Sequence, residues 1–467
     1  MKNKFNPQKF QKLLVEDIQK QTGLKIDLMT FLTDADKLEA SKKVLIPAES
    51  LMPLPTACPF CGHDLWSHGK RAINIQTWPT RAGQQVFFHI KRPHFVCSAC
   101  GKSCYQPLPD TILENHRITK GFADSLCECI RAMPFKAAER LFCVQDSTLK
   151  NVFMESARGW LAQHQFVLPT VLGMDEVMIG GKFRTVLTNL EQRSLYDMLS
   201  DRKQDFLEEK FAAIPIDQRE AVMWVCTDMY RPFKKPIGAL LPNARWVIDR
   251  FHVVKMATQA VDQIRKVFQK GLPADTRRTF KKTIRWLLLC NSARLTEEDK
   301  QVLSVVRAAC PALMEGYDLK EDFRQIWEAG TRSAAEERFL AWKDSIPKDA
   351  VFEDFRSLSH TFENFHEYIL NYYDACALTN GYTEALNGLI KIVNRLGRGY
   401  EFETLRLKML TNPRAVADST RFGIEYGTNM QTLENELDVP PAPFDEDMLA
   451  FEKNKDADEL KAYLSEP

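Results

Sequence analysis

"CPFCG" at 58–62 and "CSACGKSC" at 97–104 place two Cys-x-x-Cys pairs within one short stretch of the chain. No other feature restricts the fold so tightly, because four thiolates gathered tetrahedrally round one ion force two separate backbone turns together. Cys58, Cys61, Cys97 and Cys100 are the expected ligands of a structural Zn²⁺. A glycine follows each pair, where a tight turn aims backbone amides at sulfur. Between the pairs, "INIQTWPTRAGQQVFFHIKRPHFVC" alternates like strands about an "AGQQ" turn. This is a zinc-ribbon pattern. Its gap exceeds the common ribbon spacing, so a treble-clef-like variant stays open, as does a ligand role for Cys104, His63 or His94. The ion would supply folding energy that so small a segment lacks. Arg71, Arg81, Lys91 and Arg92 give the segment a basic surface. The other seven cysteines, Cys127, Cys129, Cys143, Cys226, Cys290, Cys310 and Cys376, lie in apolar or helical patterns. They are expected as buried free thiols rather than disulfides.

A chain of 467 residues is too long for one hydrophobic core, so several domains are expected. No apolar run is long enough to span a bilayer, and the charged "MKNKFNPQKFQKLLVEDIQK" has no signal-peptide core. The expectation is a cytoplasmic protein with no membrane partner. "FQKLLVEDI" reads as a helix that contributes to pairing of two copies. The net charge of +1 hides an asymmetry: residues 431–467 hold 11 acidic and 3 basic residues, a net of −8, which leaves +9 on the rest. "VPPAP" at 439–443 marks a linker before the acidic tail. A basic body with an acidic tail suits a polyanionic partner. After the cysteines, "FKAAERLFCVQDSTLKNVF" has the form of a helix-turn-helix. Ala137, Ala138, Leu141 and Phe142 pack its first helix, "VQD" makes the turn, and Ser147 caps the second. That second helix, with Lys150, would enter the major groove of DNA.

From residue 169 the texture changes. "PTVLGMDEVMIGG" is an apolar run ending in acids and a Gly-Gly turn, and "KFRTVLTNL" and "RSLYDMLS" follow as strands. "DRKQDFLEEKFAAI" is an amphipathic helix, and "AVMWVCTDMY" is a buried strand ending in Asp228. "RPFKKPIGALLP" crosses back to "ARWVIDRFHVVK", a buried strand ending in Asp249. The order β-β-β-α-β-α-β is that of a ribonuclease-H-like core, in which acids from the first and fourth strands meet at one edge. Asp175 and Asp228 hold those places, while the adjacent Glu176 should point to the other face. Paired carboxylates supply oxygen ligands to two Mg²⁺ ions, with Mn²⁺ as a substitute, and leave positions for water and a substrate phosphate. "TNGYTEALNGLIKIVNRLGRGY", 379–400, offers a third acid. Leu386, Leu389, Ile390, Val393 and Leu396 recur at helical spacing and would face a core. Glu384 heads the opposite face, which continues with Asn387, Lys391, Asn394, Arg395 and Arg398, groups suited to DNA phosphates.

Taken together, "GMDE" at 173–176, "TDM" at 227–229, "LPNARWVIDRFHVVK" at 241–255 and the 379–400 helix carry a family likeness. Over roughly 58–412 the chain resembles the ISL-three family of bacterial insertion-sequence transposases. The resemblance implies an Asp-Asp-Glu triad of Asp175, Asp228 and Glu384. It also implies an Asp-x-x-His element, Asp249 and His252, in a supporting role beside the site. An alternative makes Asp249 the second triad member, and His252 equally suits a satisfied core histidine. Where the family often has a basic, aromatic stretch after the first acids, "VMIGGKFRTVLTNL" is apolar and glycine-rich.

Between Asp249 and Glu384, residues 256–369 read as a helical insertion. Arg265, Lys266, Lys270, Arg277, Arg278, Lys281, Lys282 and Arg285 crowd its start, as a grip on transposon-end DNA would require. Trp286, Trp327 and Trp342 read as insertion-core residues. The expected fold class is multidomain, α+β and α/β. Its parts are an N-terminal helical segment (1–57), a zinc-binding domain (58–110) and a helix-turn-helix domain (111–168). A ribonuclease-H-like core follows in two parts (169–255 and 370–412) about the insertion (256–369), with an acidic tail (413–467). The function implied is a cut-and-paste DNA transposase. It would bind terminal inverted repeats as a homodimer, cleave the ends with Mg²⁺ and join them to target DNA. The alternatives are a catalytically silent DNA-binding regulator and a structure-selective nuclease.

Overall fold

The computed structural model describes residues 18–20, 22–26, 42–80 and 83–412. Arg81, most of "FQKLLVEDI" and the acidic tail lie outside the described residues. The chain divides into two compact units, Met1–Gln165 with Ile392–Arg414, and Phe166–Lys391 with Ala415–Pro467. No helix among the described residues is long and apolar enough to cross a membrane.

The first unit is built on β1 (Leu24–Ile26), β2 (Lys43–Ser50), β3 (Leu65–Thr77), β4 (Gln85–Cys97), β5 (Ser103–Tyr105), β6 (Ile112–Leu113) and β7 (Ile118–Thr119). Their order in the sheet is β1-β2-β4-β3-β7-β6, with β5 paired to β4. The alternating stretch between the cysteine pairs is the long antiparallel hairpin β3–β4, in register from Thr77↔Val86 to Leu65↔Cys97. Leu24, Ala48, Ile75, Phe88 and Ile90 bury one face of the sheet. The cysteine hairpin is therefore part of a larger sheet. Among the described residues before 57, 18–20 and 22 are helical, but strands β1 and β2 stand where the rest of the expected helical segment would be. The reason is the period of "KVLIPAES", which puts Val44 and Ala48 on the buried face.

Three helices follow, Lys120–Ala132, Phe135–Phe142 and Asp146–Gln163, packed through Phe122, Leu126, Ile130, Leu149 and Phe153. The turn runs through Cys143, which adopts φ 54 in the left-handed region. The last of these helices starts two residues earlier than expected. Its cap position is Gln145 rather than Ser147, and Asp146 lies in the first turn, where a negative charge meets the positive end of the helix dipole. The helix Phe402–Leu410, expected in the catalytic core, belongs to this unit. Leu407 joins the three-helix cluster. The buried Lys408 amine donates to the carbonyls of Ile130 and Met133, which the end of the first helix leaves without partners.

The second unit holds β8 (Val171–Ile179), β9 (Lys182–Asn189), β10 (Ser194–Leu199), β11 (Trp224–Thr227) and β12 (Arg245–Ile248), in the order β10-β9-β8-β11-β12. β8, β9 and β10 form an antiparallel meander, whereas β11 and β12 run parallel to β8. The β8–β9 hairpin turns on Gly180 and Gly181 at φ +58 and +75, a pair of positive angles that a two-residue turn requires and glycine adopts without strain. Helices Gln204–Ala212 and Ile216–Ala221 lead to β11, and Lys234–Leu240 leads to β12. From Arg250 to Asp374 the described residues form helices and no strand. These helices and the sheet share one buried cluster that runs from Val247 and Ile248 through Ala257 and Val261 to Leu313 and Phe355. The insertion has no separate core. Trp327 and Trp342 are buried in this cluster, and the Trp342 indole donates to the Leu319 carbonyl at 2.8 Å. Of the seven scattered thiols, Cys127, Cys226, Cys290 and Cys310 are buried, Cys129 and Cys143 are half-buried, and Cys376 is exposed.

Gly173 on β8 shows why the sheet accepts the helix Gly381–Leu396 so closely. A Cβ there would lie 2.3 Å from Thr188 Oγ1, 2.6 Å from Thr383 Oγ1 and 2.7 Å from Asn380 Oδ1. Thr188 and Thr383 share a hydrogen bond of 2.6 Å, and Asn380 Nδ2 donates to the Met174 carbonyl. Gly173→Ala is expected to destabilise the protein by about 1–3 kcal/mol through overpacking, read as a lower urea midpoint. An unchanged midpoint would contradict this packing.

Candidate functional site

Strand register explains how acids distant in sequence come together. β8 and β11 pair in parallel with Gly173 opposite Cys226, and β11 and β12 pair with Cys226 opposite Val247. Two residues further along each strand direction come Asp175, Asp228 and Asp249. One acid from each of three neighbouring strands therefore sits in the same row, Asp175 within β8 and the other two at strand ends. Asp228 and Asp249 lie just past the last paired residues of β11 and β12. Asp249 also caps the helix Arg250–Lys270, accepting from the Phe251 N–H at 3.2 Å. One turn into that helix, His252 reaches back over the row.

The side chains form two overlapping groups that share His252. Ligand atoms of Asp175, Asp228 and His252 lie within 4.8 Å of one another, and so do those of Asp249, His252 and Glu384. His252 Nε2 is 3.4 Å from Glu384 Oε1, while Nδ1 is 3.7 Å from Asp249 Oδ2, an ion-pair distance too long for a hydrogen bond. Asp249 Oδ2 and His252 Nδ1 are both buried without a hydrogen-bond partner. Asp175 accepts from the Glu176 N–H and from Asn387 Nδ2, each at 2.7 Å. Asp228 Oδ1 accepts from the Tyr230 N–H at 2.9 Å.

Burial and mutual repulsion set the charge states. Burial raises the pKa of Asp175 above the usual carboxylate range, against the Glu176 N–H, which lowers it. Burial, followed by the charge of Asp249, pushes Glu384 up to about 7 despite the opposing His252. Burial disfavours a charged His252, yet the carboxylates of Asp249, Glu384 and Asp175 outweigh it and hold the imidazolium up to about pH 9. A row of acids whose main local counter-charge is one histidine is a site built for added positive charge. Oxygen donors in this number suit a hard divalent cation such as Mg²⁺ or Mn²⁺.

The structure moves several expected contacts. Asn387 is buried and bound to Asp175, so it is not available to a DNA phosphate. Its place one helical turn after Glu384 puts both on the same face, and that spacing could have revealed it. Asn387→Leu would leave the Asp175 carboxylate short of a donor. Loss of such a supporting partner typically costs about 10–100-fold. DNA cleavage should fall by that factor with the thermal unfolding midpoint unchanged, and an undiminished rate would refute the role. Arg265 is also corrected. It is 2% exposed and bound to Asp262 at 2.8 Å, because it sits on the core side of its helix. Lys266 is half-exposed and pairs with the same acid at 3.1 Å. Arg277 donates to the carbonyls of Lys270 and Leu272. Lys150 pairs with Glu401 at 3.3 Å. Arg278, Lys281, Lys282, Lys391, Arg395 and Arg398 are exposed. So is Leu396, at 62%, although its spacing assigned it to a core.

In the first unit the four thiols of Cys58, Cys61, Cys97 and Cys100 gather within 4.8 Å of one another. Cys58 and Cys100 approach to 3.7 Å and Cys61 and Cys97 to 3.4 Å. Each pair ends in a tight turn: Gly62 N–H donates to Cys58 O, and Gly101 N–H donates to Cys97 O, with φ of +75 and +66 at the glycines. The N–H groups of Cys100 and Ala99 point at Cys97 Sγ and lower its pKa to about 6. Four converging thiols with amides turned toward sulfur fit a tetrahedral Zn²⁺. Cys104, His63 and His94 stand outside this group: His63 Nδ1 lies 3.0 Å from the Cys61 carbonyl, and His94 stacks on Tyr105.

Residues 172–409, just over half of the chain, match a transposase family of the ISL-three type. The chain is also 23% identical over 322 residues to the transposase for insertion sequence element IS1001 of Bordetella parapertussis. That alignment covers 68% of this chain and 78% of the relative.

Proposed function

The chain belongs to the ISL-three family and is a DNA transposase, and from that premise we propose that Asp175, Asp228 and Glu384 are the Asp-Asp-Glu residues of its active site. The observation that carries this reading is the row of acids on three neighbouring strands, faced by Glu384. The strand order β10-β9-β8-β11-β12 supports a ribonuclease-H-like core, since it sets the first strand of the unit at the centre beside the fourth. When bound by these carboxylates, two Mg²⁺ or Mn²⁺ ions would supply a nucleophilic oxygen at neutral pH and charge stabilisation for in-line displacement at phosphorus. The residues themselves do the positioning. Asn387 and the Glu176 N–H hold the Asp175 carboxylate, and the Tyr230 N–H holds Asp228. Asp249 lies 3.7 Å from His252, whose cationic ring offsets the charge of the acids. Zn²⁺ on the four cysteines is structural, stapling the β3–β4 hairpin. The partners are transposon-end and target DNA, gripped by exposed cations such as Arg278, Lys281 and Lys391. The working unit is a homodimer, because two ends must be processed together.

The reading is tested by incubating the protein with a labelled terminal-repeat duplex, a target plasmid and Mg²⁺. Cleavage with joining is expected. Cleavage without joining would indicate a structure-selective nuclease, and binding without cleavage a silent regulator.

The site also imposes a pH dependence. Glu384 holds its proton up to about pH 7, so metal binding and cleavage should rise as pH increases through that value. For stability the sign is opposite in the metal-free protein. Glu384 and His252 both bind protons more tightly folded than unfolded. The stability they contribute is full below their ordinary values of 4.5 and 6.5, and is lost as pH rises through about 7 and about 9. Unfolding midpoints should therefore fall over this range without metal, and Mg²⁺ should raise them most at the alkaline end. A Mg²⁺ effect independent of pH would contradict the assignment.

A further inference from the structure

We propose that Arg202 binds a DNA backbone phosphate beside the bond to be cut. The inference rests on the reading of the acid row as the cleavage site. Arg202 lies in the loop after β10, more than twenty residues in sequence from Asp175, Asp228, Asp249 and Glu384. The loop is tied to β9: Thr185 Oγ1 donates to the Asp201 carbonyl at 3.0 Å, and Arg184 donates to the Ser200 carbonyl. The guanidinium is held between two rings, with Cζ 3.8 Å from the Phe183 centroid and 4.5 Å from the Tyr230 centroid. Tyr230 is the residue whose N–H holds Asp228, and Nη1 of Arg202 pairs with Glu176, the neighbour of Asp175.

The pairing is one-sided. A guanidinium whose task was to neutralise Glu176 would present a fork to both carboxylate oxygens. Here one Glu176 oxygen, Oε2, takes Nη1, while Oε1 is buried without a partner. Among the described residues Nε and Nη2 of Arg202 donate to no further partner, and the side chain is 27% exposed. A planar cation clamped by two aromatic faces has lost most of its freedom already, and this one stays part-exposed beside residues that adjoin the acids, Glu176 and Tyr230. A phosphodiester approaching Asp175, Asp228 and Glu384 meets strong repulsion. A fixed, permanently charged donor pair at the rim offsets that repulsion and orients the phosphate.

The experiment compares wild type, Arg202→Gln, Arg202→Lys, Glu176→Gln and the double variant Glu176→Gln/Arg202→Gln. It reads equilibrium binding of a labelled terminal-repeat duplex in EDTA over a salt series, with thermal unfolding to confirm that each variant folds. Arg202→Gln is expected to weaken binding about tenfold and to reduce the log–log salt slope by about 0.9, the value for one lost phosphate contact. Arg202→Lys should recover most of the slope, since it keeps the charge. The double variant should bind as Arg202→Gln does. A double variant restored to wild-type affinity and slope would make Arg202 a counter-ion of Glu176 and overturn the proposal. Because binding is read without metal, this result is independent of whether Asp175→Asn abolishes cleavage, which tests the acid row itself.

Discussion

Glu384→Gln and Asp175→Asn are each expected to cut DNA cleavage by about a thousandfold or more, equivalent to about 4 kcal/mol of transition-state stabilisation, while duplex binding stays within a few-fold of wild type. Each replacement keeps the shape of the side chain and removes one negative charge from the metal-binding row. The two acids act from different elements. Asp175 is held on the central strand by Asn387 and the Glu176 N–H. Glu384 is presented by a helix seated against Gly173 through Thr383 and Asn380. Either loss should leave the fold intact, since burial and the neighbouring acids oppose the negative charge of both carboxylates. Metal-free Glu384→Gln should even gain stability at neutral pH, because the charge that burial and Asp249 oppose is gone. Retained cleavage in either variant, measured with the terminal-repeat duplex and Mg²⁺, would show that the row does not carry the chemistry.

Removing a cysteine ligand is expected to have the second large effect. The native chain should carry about one tightly held Zn²⁺, and Cys58→Ser/Cys97→Ser should carry none, as read by metal analysis. Structural zinc of this type contributes apparent free energies of about 10–16 kcal/mol in isolated fingers, so a sheet that depends on it should unfold in part. The β3–β4 hairpin extends from the cysteines into the core formed by Ile75, Phe88 and Ile90. Its loss should therefore appear as reduced β signal in circular dichroism and weakened DNA binding, with the second unit still melting cooperatively. A chain that binds DNA and melts normally after chelation would contradict a structural role for the ion.

The parts legible in the sequence share one property: local periodicity decides them. Apolar runs that meet an acid mark β8, β11 and β12; in β11 and β12 the acid comes where the buried parallel strand ends, while β8 continues past its acids to Ile179. The alternation between the cysteine pairs marks β3 and β4. What escaped the sequence depends on tertiary contact. Asn387 read as a DNA contact because its helical face looks polar, and only the proximity of Asp175 turns it inward. Arg265 read as a cation for phosphate, but Asp262, three residues before it, pulls it into the core. The helix Phe402–Leu410 followed the Glu384 helix in sequence, yet it belongs to the first unit, where Leu407 and Lys408 find their partners among Phe135, Phe153 and Ile130. Arg202 gave no local signal at all, since its aromatic clamp comes from β9 and from the turn after β11.

The most direct measurement of the central claim is the location of Mn²⁺ by anomalous scattering in crystals of the protein grown or soaked with that ion. The account predicts a peak between the carboxylates of Asp175 and Asp228, with Glu384 turned toward a neighbouring ion and His252 displaced from the centre of the cluster. A peak held by Asp249 and Glu384 without Asp228 would move the second acid of the site to Asp249. No peak at any of these carboxylates, in a protein that still cleaves DNA, would contradict the account.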